Sequence, residues 1–319
     1  MIAILEQGLL LSLAAIGVYI SFRVVDLPDL TPDGSYVLGG AVAVSLLYAG
    51  HGWVFSTLMA ILSGAIAGCV VAFITTRFRI NSLLGSIMVM TGLYSINIRI
   101  MGAPNLPVPK FDTGNITGYE SVMGGTSLDD LLGKTTSSYQ GAGVKAVKVP
   151  FDNLADGHDL VLIASIVVIA VVLMWLFLRT EFGMMFRGYG RNRMAVRNLG
   201  VNPDLYAYVG LIIGNAFTAL SGALFSMYSG FADVNMGVGT VVICLASVIL
   251  GEIIFGRYEP LYGVLFPVVG ALLYQFLLSL AMRYGYKIGF KPSDMKLVTA
   301  LFVVSVIAIR RFRKSEVVI

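Results

Sequence analysis

Charged residues are scarce in this sequence, and so are the side chains that usually build catalytic or metal centres. Asp, Glu, Lys and Arg make up 13% of the 319 residues, about half the share found in a soluble domain. With two histidines and two cysteines, the chain offers neither a disulfide framework nor a Cys/His metal-ligand cluster. The pattern G-x-x-x-x-G-K-[ST] is also missing, which excludes binding of ATP phosphates by such a loop. We therefore expect no metal, no cofactor and no catalytic residue in this chain.

Apolar residues, by contrast, make up 57% of the chain, and the mean hydropathy is +0.85. Several apolar runs reach about 20 residues, enough to cross the ~30 Å hydrocarbon layer as an α-helix. The runs are continuous rather than alternating, which excludes a membrane β-barrel. The first run lacks a basic start and a cleavage site, so we interpret it as a retained span. The sequence predicts an all-α polytopic membrane protein with one transmembrane domain over 1–319, in which Cys69 and Cys244 are packing residues.

Nine apolar segments are predicted along the chain. Their bounds are 3–22, 36–50, 53–75, 82–100, 159–178, 204–228, 235–255, 260–282 and 294–310. Arginine and lysine cluster after the third, fifth and ninth segments, and the positive-inside rule places such clusters in the cytoplasm. The N-terminus is then outside the cell and the C-terminus inside it. A smaller basic group between 283 and 296 disagrees with this orientation.

Residues 101–158 contain no apolar span and would form one long external segment. The stretch is polar, rich in Gly, Ser and Thr, and begins with three prolines at 104, 107 and 109. This composition favours a plain connecting loop. A docking surface for an external partner is the alternative.

Two of the predicted segments begin with a break. LPDLTPDGSYVLGG precedes the second and SGFADVNMGVG precedes the seventh, and proline, glycine and acidic residues there are unfavourable in a continuous membrane helix. The blocks 3–100 and 204–310 each place such a break before the second of four segments. One odd segment separates the blocks, so they run in opposite senses as an inverted repeat.

Interrupted helices in corresponding positions of two repeats point to a transport pathway. The predicted pathway residues are Thr31, Asp33, Gly34, Ser35, Asp233, Asn235, Met236, Gly237 and Gly239. Residues 31–35 are expected to be unwound, with Asp33 gating the cytoplasmic exit. Asp233 and Asn235 are expected near the outer face, where they meet the solute.

Close helix packing is the alternative explanation for glycine in such a protein, and it is preferred for two ladders of small residues. They comprise Gly210, Gly214, Thr218, Gly222, Ser226 and Gly230 in one segment, and Ala60, Gly64, Gly68 and Ala72 in another.

The stretch FGMMFRGYGRNRMAVRNLGVNPD carries four arginines between two apolar segments. A short helix over about 192–199 is predicted, with Gly200 ending it in the left-handed conformation. Asn202, Pro203 and Asp204 then form the N-cap and first turn of the next span. A solvated turn is the simpler alternative. The closely spaced signals for helix ends and starts instead indicate a rigid element at 188–200 that a partner could bind.

This region resembles the coupling region of bacterial ABC importer permeases of the branched-chain amino acid and ribose type. The matching positions are Thr180, Gly183, Arg187, Gly190, Asn192, Ala195, Leu199, Gly200, Val201 and Asn202. DLTPDGSYVLGGAVA is similar to the family's loop before its second helix, and VILGEIIFGRYEPLYGVLFPVVGALL to a glycine-spaced stretch. Within the family, the T-P-D-G-S and N-M-G-V-G-T segments are most similar to the tryptophan/tyrosine transport permeases. Glu252, Arg257 and the long segment 101–158 depart from the usual pattern.

The resemblance implies a type II-like permease subunit in the bacterial inner membrane, working as a homodimer embedded in lipid. A separate ATPase would bind ATP-Mg and grip Arg187, Gly190, Asn192, Arg193, Ala195, Leu199 and Gly200. An external binding protein would deliver an amino acid, with an aromatic one favoured and sugars or nucleosides as alternatives. From the residues alone, a secondary transporter driven by an ion gradient and a non-transporting membrane anchor also remain open.

Overall fold

The computed structural model describes residues 2–109, 158–255 and 263–285, together with a few positions between 297 and 305. In this part of the chain the secondary structure is almost entirely helical. Two short strands, β1 (Asn105–Pro107) and β2 (Phe231–Asp233), pair antiparallel. The helices are α1 (Ile2–Tyr19, continued by a π-helical turn over Ile20–Val24), α2 (Thr31–Tyr48), α3 (Trp53–Arg77), α4 (Ser82–Met101), α5 (His158–Arg179), α6 (Glu181–Arg191), α7 (Arg193–Asn198), α8 (Pro203–Ser229), α9 (Thr240–Phe255) and α10 (Leu265–Gly285).

Six of the described helices are long and apolar enough to cross a membrane. They are α1 with its π-helical turn, α3, α4, α5, α8 and α10, and α9 is a shorter apolar helix. The prediction of a polytopic α-helical membrane protein is therefore confirmed. Most of the predicted segment 294–310 lies outside the described residues, and so does the preceding basic group except Arg283, which lies in the last turn of α10.

Helix α8 is the centre of the bundle, with α1, α2 and α3 packed around it. Helix α1 runs antiparallel to it: Ser221 near the end of α8 donates to the Leu10 carbonyl at 2.6 Å, while Gly210 near its start meets Val25. Because of this arrangement, α1 ends where α8 begins, close to α6 and α7. We call this the basic end of the bundle, and the opposite end, where β1 pairs with β2, the strand end.

The two ladders of small residues are packing seams, as predicted. In α3, Gly64 and Gly68 lie against the α8 backbone at Asn215 and Leu211. On α8, Gly222 lies against the backbone of Tyr36 in α2. Here the absence of a side chain lets backbones touch, which is how membrane helices gain packing energy.

Of the two cysteines, Cys244 is fully buried, as expected of a packing residue, whereas Cys69 is exposed on α3. Of the predicted external segment 101–158, the structure describes the ends alone. Its beginning forms β1, and Val234, just after β2, donates to the Pro104 carbonyl at 2.9 Å. Residues 110–157 lie outside the described residues, so the alternative of an external docking surface stays a prediction.

Replacing Gly222 with alanine should destabilise the protein by about 1–3 kcal/mol, because the new methyl group overlaps the Tyr36 carbonyl oxygen. The matched control is Gly92→Ala on α4, where no atom of the described part of the chain lies within 4 Å of the added carbon. Thermal unfolding of the purified variants measures the difference. Equal melting temperatures for the two variants would contradict the seam.

Candidate functional site

The first predicted break is real, but it lies earlier than expected. Residues 25–30 are not helical, whereas α2 begins at Thr31 and continues without interruption through Asp33, Gly34 and Ser35. The prediction that 31–35 is unwound is therefore wrong. Pro32 occupies the first turn of α2, a position where proline is favoured because its missing N–H has no helical partner.

A buried polar network fastens the start of α2 to the middle of α8. The Asp29 carboxylate accepts from the Thr31 amide at 2.9 Å and from the Asn215 side chain at 2.8 Å. Ser35 in turn donates to the Asn215 side-chain oxygen at 2.7 Å. Asp29, Asn215 and Ser35 are all fully buried, so Ser35 helps to fasten α2 to α8. Asn215 was not among the predicted site residues, although an amide inside an apolar span is a usable signal.

The second predicted break is confirmed. Gly230 ends α8 with φ +84°, β2 follows, and residues 234–239 form turns before α9 begins at Thr240. Asp233 accepts from the Asn235 amide at 2.6 Å, a local contact that shapes the turn. Asn235 is exposed, while Met236 lies half-buried against Ser226 and Gly40.

The two breaks meet each other inside the bundle. One Asp33 carboxylate oxygen accepts from the Val241 amide at 2.7 Å, and the other accepts from the Gly239 amide at 3.1 Å. Gly237 lies directly against the Asp33 carbonyl. Asp33 therefore caps the N-terminus of α9 from a different helix, satisfying amides that have no partner within α9.

This contact disagrees with the prediction that Asp33 lies at the cytoplasmic exit while the second break lies near the outer face. Asp33 follows Asp29, which is bonded midway along α8, so it lies well inside the bundle rather than at the basic end. The backbone reaches this depth from both ends: residues 25–30 come from the basic end, and 234–239 from the strand end. We call the contact of Asp33 with 237–241 the junction. Gly237 is a packing residue there, and a larger side chain would separate the two breaks.

A cavity of about 280 Å³ adjoins the junction. It is lined by Asp33, Gly34, Val37, Met90, Thr91, Tyr94, Asn97, Val234 and Val238. Asn97, which is 1% exposed, donates to the Gly34 carbonyl at 3.2 Å. No residue of α4 was predicted to belong to the site, although Asn97, an amide inside an apolar span, is a usable signal.

The basic stretch forms two helices instead of one. α6 was not predicted; Thr180 caps it by accepting from the Gly183 amide at 3.0 Å. α7 matches the predicted helix over 192–199 to within one residue at each end. The predicted signals for helix ends and starts are confirmed, because Asn192 caps α7, Gly200 has φ +79° and Asn202 caps α8.

Helix α6 holds this region against the bundle. Phe186 and Tyr189 are buried, and Gly190 touches the Val24 carbonyl at the end of α1. Burial raises the pKa of Tyr189 above its usual value, so the phenol stays neutral. Arg193 lies over the Tyr189 ring at 5.2 Å and donates to the Asp26 carbonyl at 3.1 Å. Among the predicted coupling residues, Gly190 and the half-buried Arg187 thus face the bundle.

Helix α7 presents its side chains outward instead. Within Arg193–Asn198, Val196 alone is buried. We call the exposed side chains of Arg193, Met194, Ala195, Arg197, Asn198 and Leu199 the α7 surface. Its apolar members are strongly exposed, Met194 at 66% and Leu199 at 67%. A surface that combines exposed apolar side chains with arginines is typical of a protein-binding interface, in which a partner covers the apolar side chains.

An ion pair between Arg23 and Glu252 ties α1 to α9 near the basic end. Glu252 is one of the two residues noted as unusual in the sequence, and the pair gives it a partner. Helix α9 thus extends from the junction at its N-terminus to the Arg23 contact near its C-terminus. Since Val24 also touches Gly190, a continuous set of contacts joins α6 to the junction.

Comparison with known proteins places the chain among membrane transport proteins. Residues 1–308 match the family model for the permease component of branched-chain amino acid transport systems. A tyrosine transport system permease of Clostridioides difficile is 34% identical over 96% of this chain and 90% of its own. An uncharacterized protein of Rickettsia prowazekii is 31% identical over 94% of both chains. A nucleoside ABC transporter permease of Lactococcus lactis is 28% identical over 45% of this chain and 44% of its own. No solved structure gives a significant match.

Proposed function

Because the chain belongs to the branched-chain amino acid transport permease family, we propose that it imports an aromatic amino acid as the membrane subunit of an ATP-driven transporter. The observation that carries the choice of solute is the similarity to a tyrosine transport permease along almost the whole chain. The similarity to a nucleoside permease covers less than half of the chain, so nucleosides are the second candidate.

The proposed assembly has two copies of this chain in the inner membrane, surrounded by lipid. ATPase subunits, which bind ATP-Mg and hydrolyse it, dock at the α7 surface. A solute-binding protein docks at the strand end. The exposure of Met194, Ala195 and Leu199 supports the first contact, because these side chains have no role in the fold of the described residues.

We further propose nine membrane segments arranged as an inverted repeat. The support is the pair of breaks, which precede α2 and α9 and approach the junction from opposite ends of the bundle. Half-helices that meet inside a membrane are the feature that such repeats produce at a solute pathway. On this proposal the pathway passes the junction and the adjacent cavity, with Asp33, Gly34 and Asn97 on its wall.

The contacts suggest how an ATPase could move the pathway. When the ATPases close, they displace α7, and α6 transmits the motion because Gly190 lies on Val24. The Arg23–Glu252 pair then carries it to α9, and the N-terminus of α9 shifts at Asp33. Packed helices change between discrete arrangements rather than deforming gradually. The pathway would therefore open alternately toward the strand end and the basic end.

The proposed orientation places the basic end in the cytoplasm. In a variant without Cys69 and Cys244, single cysteines would replace His51, in the loop between α2 and α3, or Asn198, on the α7 surface; both are exposed. In intact cells an impermeant maleimide should label the cysteine at 51 and spare the one at 198 until the membrane is permeabilised. Labelling at 198 alone would reverse the orientation.

The proposed solute is tested with the complete transporter. The permease is co-purified with its ATPase and reconstituted with its binding protein, and uptake of labelled L-tyrosine is measured with unlabelled competitors. We expect L-tryptophan to compete and uridine and ribose not to. Uptake of uridine without uptake of tyrosine would replace the amino acid proposal with the nucleoside one.

A further inference from the structure

The cavity beside the junction has polar groups that mostly accept hydrogen bonds. The Asn97 nitrogen must face the Gly34 carbonyl, because a carbonyl can only accept, and this fixes the amide orientation. The Asn97 side-chain oxygen is then left buried without a hydrogen-bond partner among the described residues. A buried unpaired acceptor destabilises the protein unless a ligand supplies the missing donor.

Two further acceptors line the same cavity. Asp33 receives one backbone N–H on each carboxylate oxygen, and each oxygen has a second lone pair available. The Thr91 hydroxyl already donates to the Met88 carbonyl at 2.8 Å, so toward the cavity it can only accept. The group that satisfies these acceptors must carry several N–H or O–H donors.

The charge of the cavity lining limits which chemical group of a ligand can bind there. Among the described residues that line the cavity, Asp33 is the one carboxylic acid and none carries a cationic side chain. A primary ammonium fits, since it brings three donors and the opposite charge. A hydroxyl or a phosphate does not, because the first has one donor and the second would be repelled by the carboxylate.

The other lining residues of the cavity are suited to an apolar or aromatic part of the ligand. Val37, Met90, Val234 and Val238 are apolar lining residues, and the half-exposed Tyr94 adds a ring and a hydroxyl at the rim. Pockets of this kind use a few polar groups to orient a ligand and apolar walls to hold it. Methionine also makes favourable contacts with aromatic rings through its sulfur.

We propose that this cavity is a solute site within the permease itself, in which Asp33 and Asn97 bind the α-ammonium group of an amino acid. The inference rests on the proposed function and deepens it, since it states which part of the solute the membrane subunit recognises. Asp33 is also the residue that caps α9. A solute bound to Asp33 would therefore act directly on α9, the helix that the Arg23–Glu252 pair connects to the basic end.

The test measures binding to the permease–ATPase complex without the binding protein, so that no other site contributes. Saturation-transfer NMR titrations would compare L-tyrosine, tyramine, which lacks the carboxylate, and 3-(4-hydroxyphenyl)propionate, which lacks the ammonium. We expect tyrosine and tyramine to bind and the deaminated acid to bind at least about tenfold more weakly, as expected for loss of a charge-assisted contact. Equal binding of tyramine and the deaminated acid would overturn the ammonium site.

A substitution provides the second arm of the test. Asn97→Leu should weaken tyrosine binding by about tenfold or more, whereas Ser95→Leu, at an exposed position on the same helix, should leave it unchanged. Should Asn97→Leu fail to fold, the comparison of the three ligands still decides, because it uses the unaltered chain. If the complete transporter imports tyrosine but the permease does not distinguish tyramine from the deaminated acid, the ammonium site is wrong and the proposed function stands. If it imports uridine instead, the proposed function itself fails.

Discussion

Ala195→Arg is expected to abolish solute uptake while leaving the permease folded and inserted. Ala195 is exposed on the α7 surface, and its hydrogen bonds come from the backbone: its amide donates to the Asn192 side chain and its carbonyl accepts from the Leu199 amide. An arginine there keeps the helix and its cap, so the permease alone should be unaffected. In the complex, the added cation would be forced into a cleft shaped for a small side chain.

The size of the effect follows from the burial of an unpaired charge. Leaving such a charge in an interface weakens association by about 2–5 kcal/mol, which raises the dissociation constant by about thirtyfold to several thousandfold. Co-purification of the ATPase and ATP-driven uptake should both fall, while the melting temperature of the isolated permease should not. Ala195→Ser is the matched control and should retain both activities. Normal uptake by Ala195→Arg would mean that the ATPase docks elsewhere.

Asp33→Leu is expected to have the second large effect, on uptake and on stability together. The carboxylate satisfies two backbone amides at the start of α9, and leucine satisfies neither. Loss of two hydrogen bonds to a charged group destabilises by about 3 kcal/mol or more. Uptake should fall below detection, because α9 loses its fixed point at the junction. Asp33→Asn keeps one acceptor oxygen. Its melting temperature should therefore lie between those of the native protein and of Asp33→Leu.

Asp233 provides the control for this experiment. Its carboxylate bonds to the nearby Asn235 amide, and asparagine supports the same turn. Asp233→Asn should therefore be close to neutral in melting temperature and uptake. If Asp233→Asn abolished uptake and Asp33→Asn did not, the pathway would have to be moved from the junction toward the strand end.

Features fixed by local chemistry could be predicted from the sequence. The caps at Asn192 and Asn202 and the left-handed Gly200 depend on residues a few positions apart, so the pattern of α7 and the start of α8 was readable. The ladders of small residues were readable for the same reason, since one helix face carries them all. The prediction that 31–35 is unwound was wrong because proline, which interrupts a helix in its interior, is well accepted in a first helical turn, where Pro32 lies.

The junction could not be predicted, because it joins residues that are far apart in the chain. Asp33 and Gly239 are 206 positions apart, and nothing near either residue specifies the other. Similarly, Asp29, Ser35 and Asn215 could each be recognised as polar residues in apolar surroundings, but their shared network depends on how α2 packs on α8. Helix α6 was missed because its glycines and arginines keep it from forming an apolar segment, although Phe182, Phe186 and Tyr189 stand at the spacing of one helix face.

The central claim is that ATP hydrolysis by a partner subunit drives import through this chain, and the source of energy tests it most directly. The permease, its ATPase and its binding protein are reconstituted in proteoliposomes, and accumulation of labelled L-tyrosine is measured under two conditions. In one, ATP is present on the ATPase side and ionophores collapse all ion gradients. In the other, a proton or sodium gradient is imposed without ATP. We predict accumulation under the first condition and none under the second. Accumulation driven by an ion gradient through the permease alone would contradict the account and identify a secondary transporter.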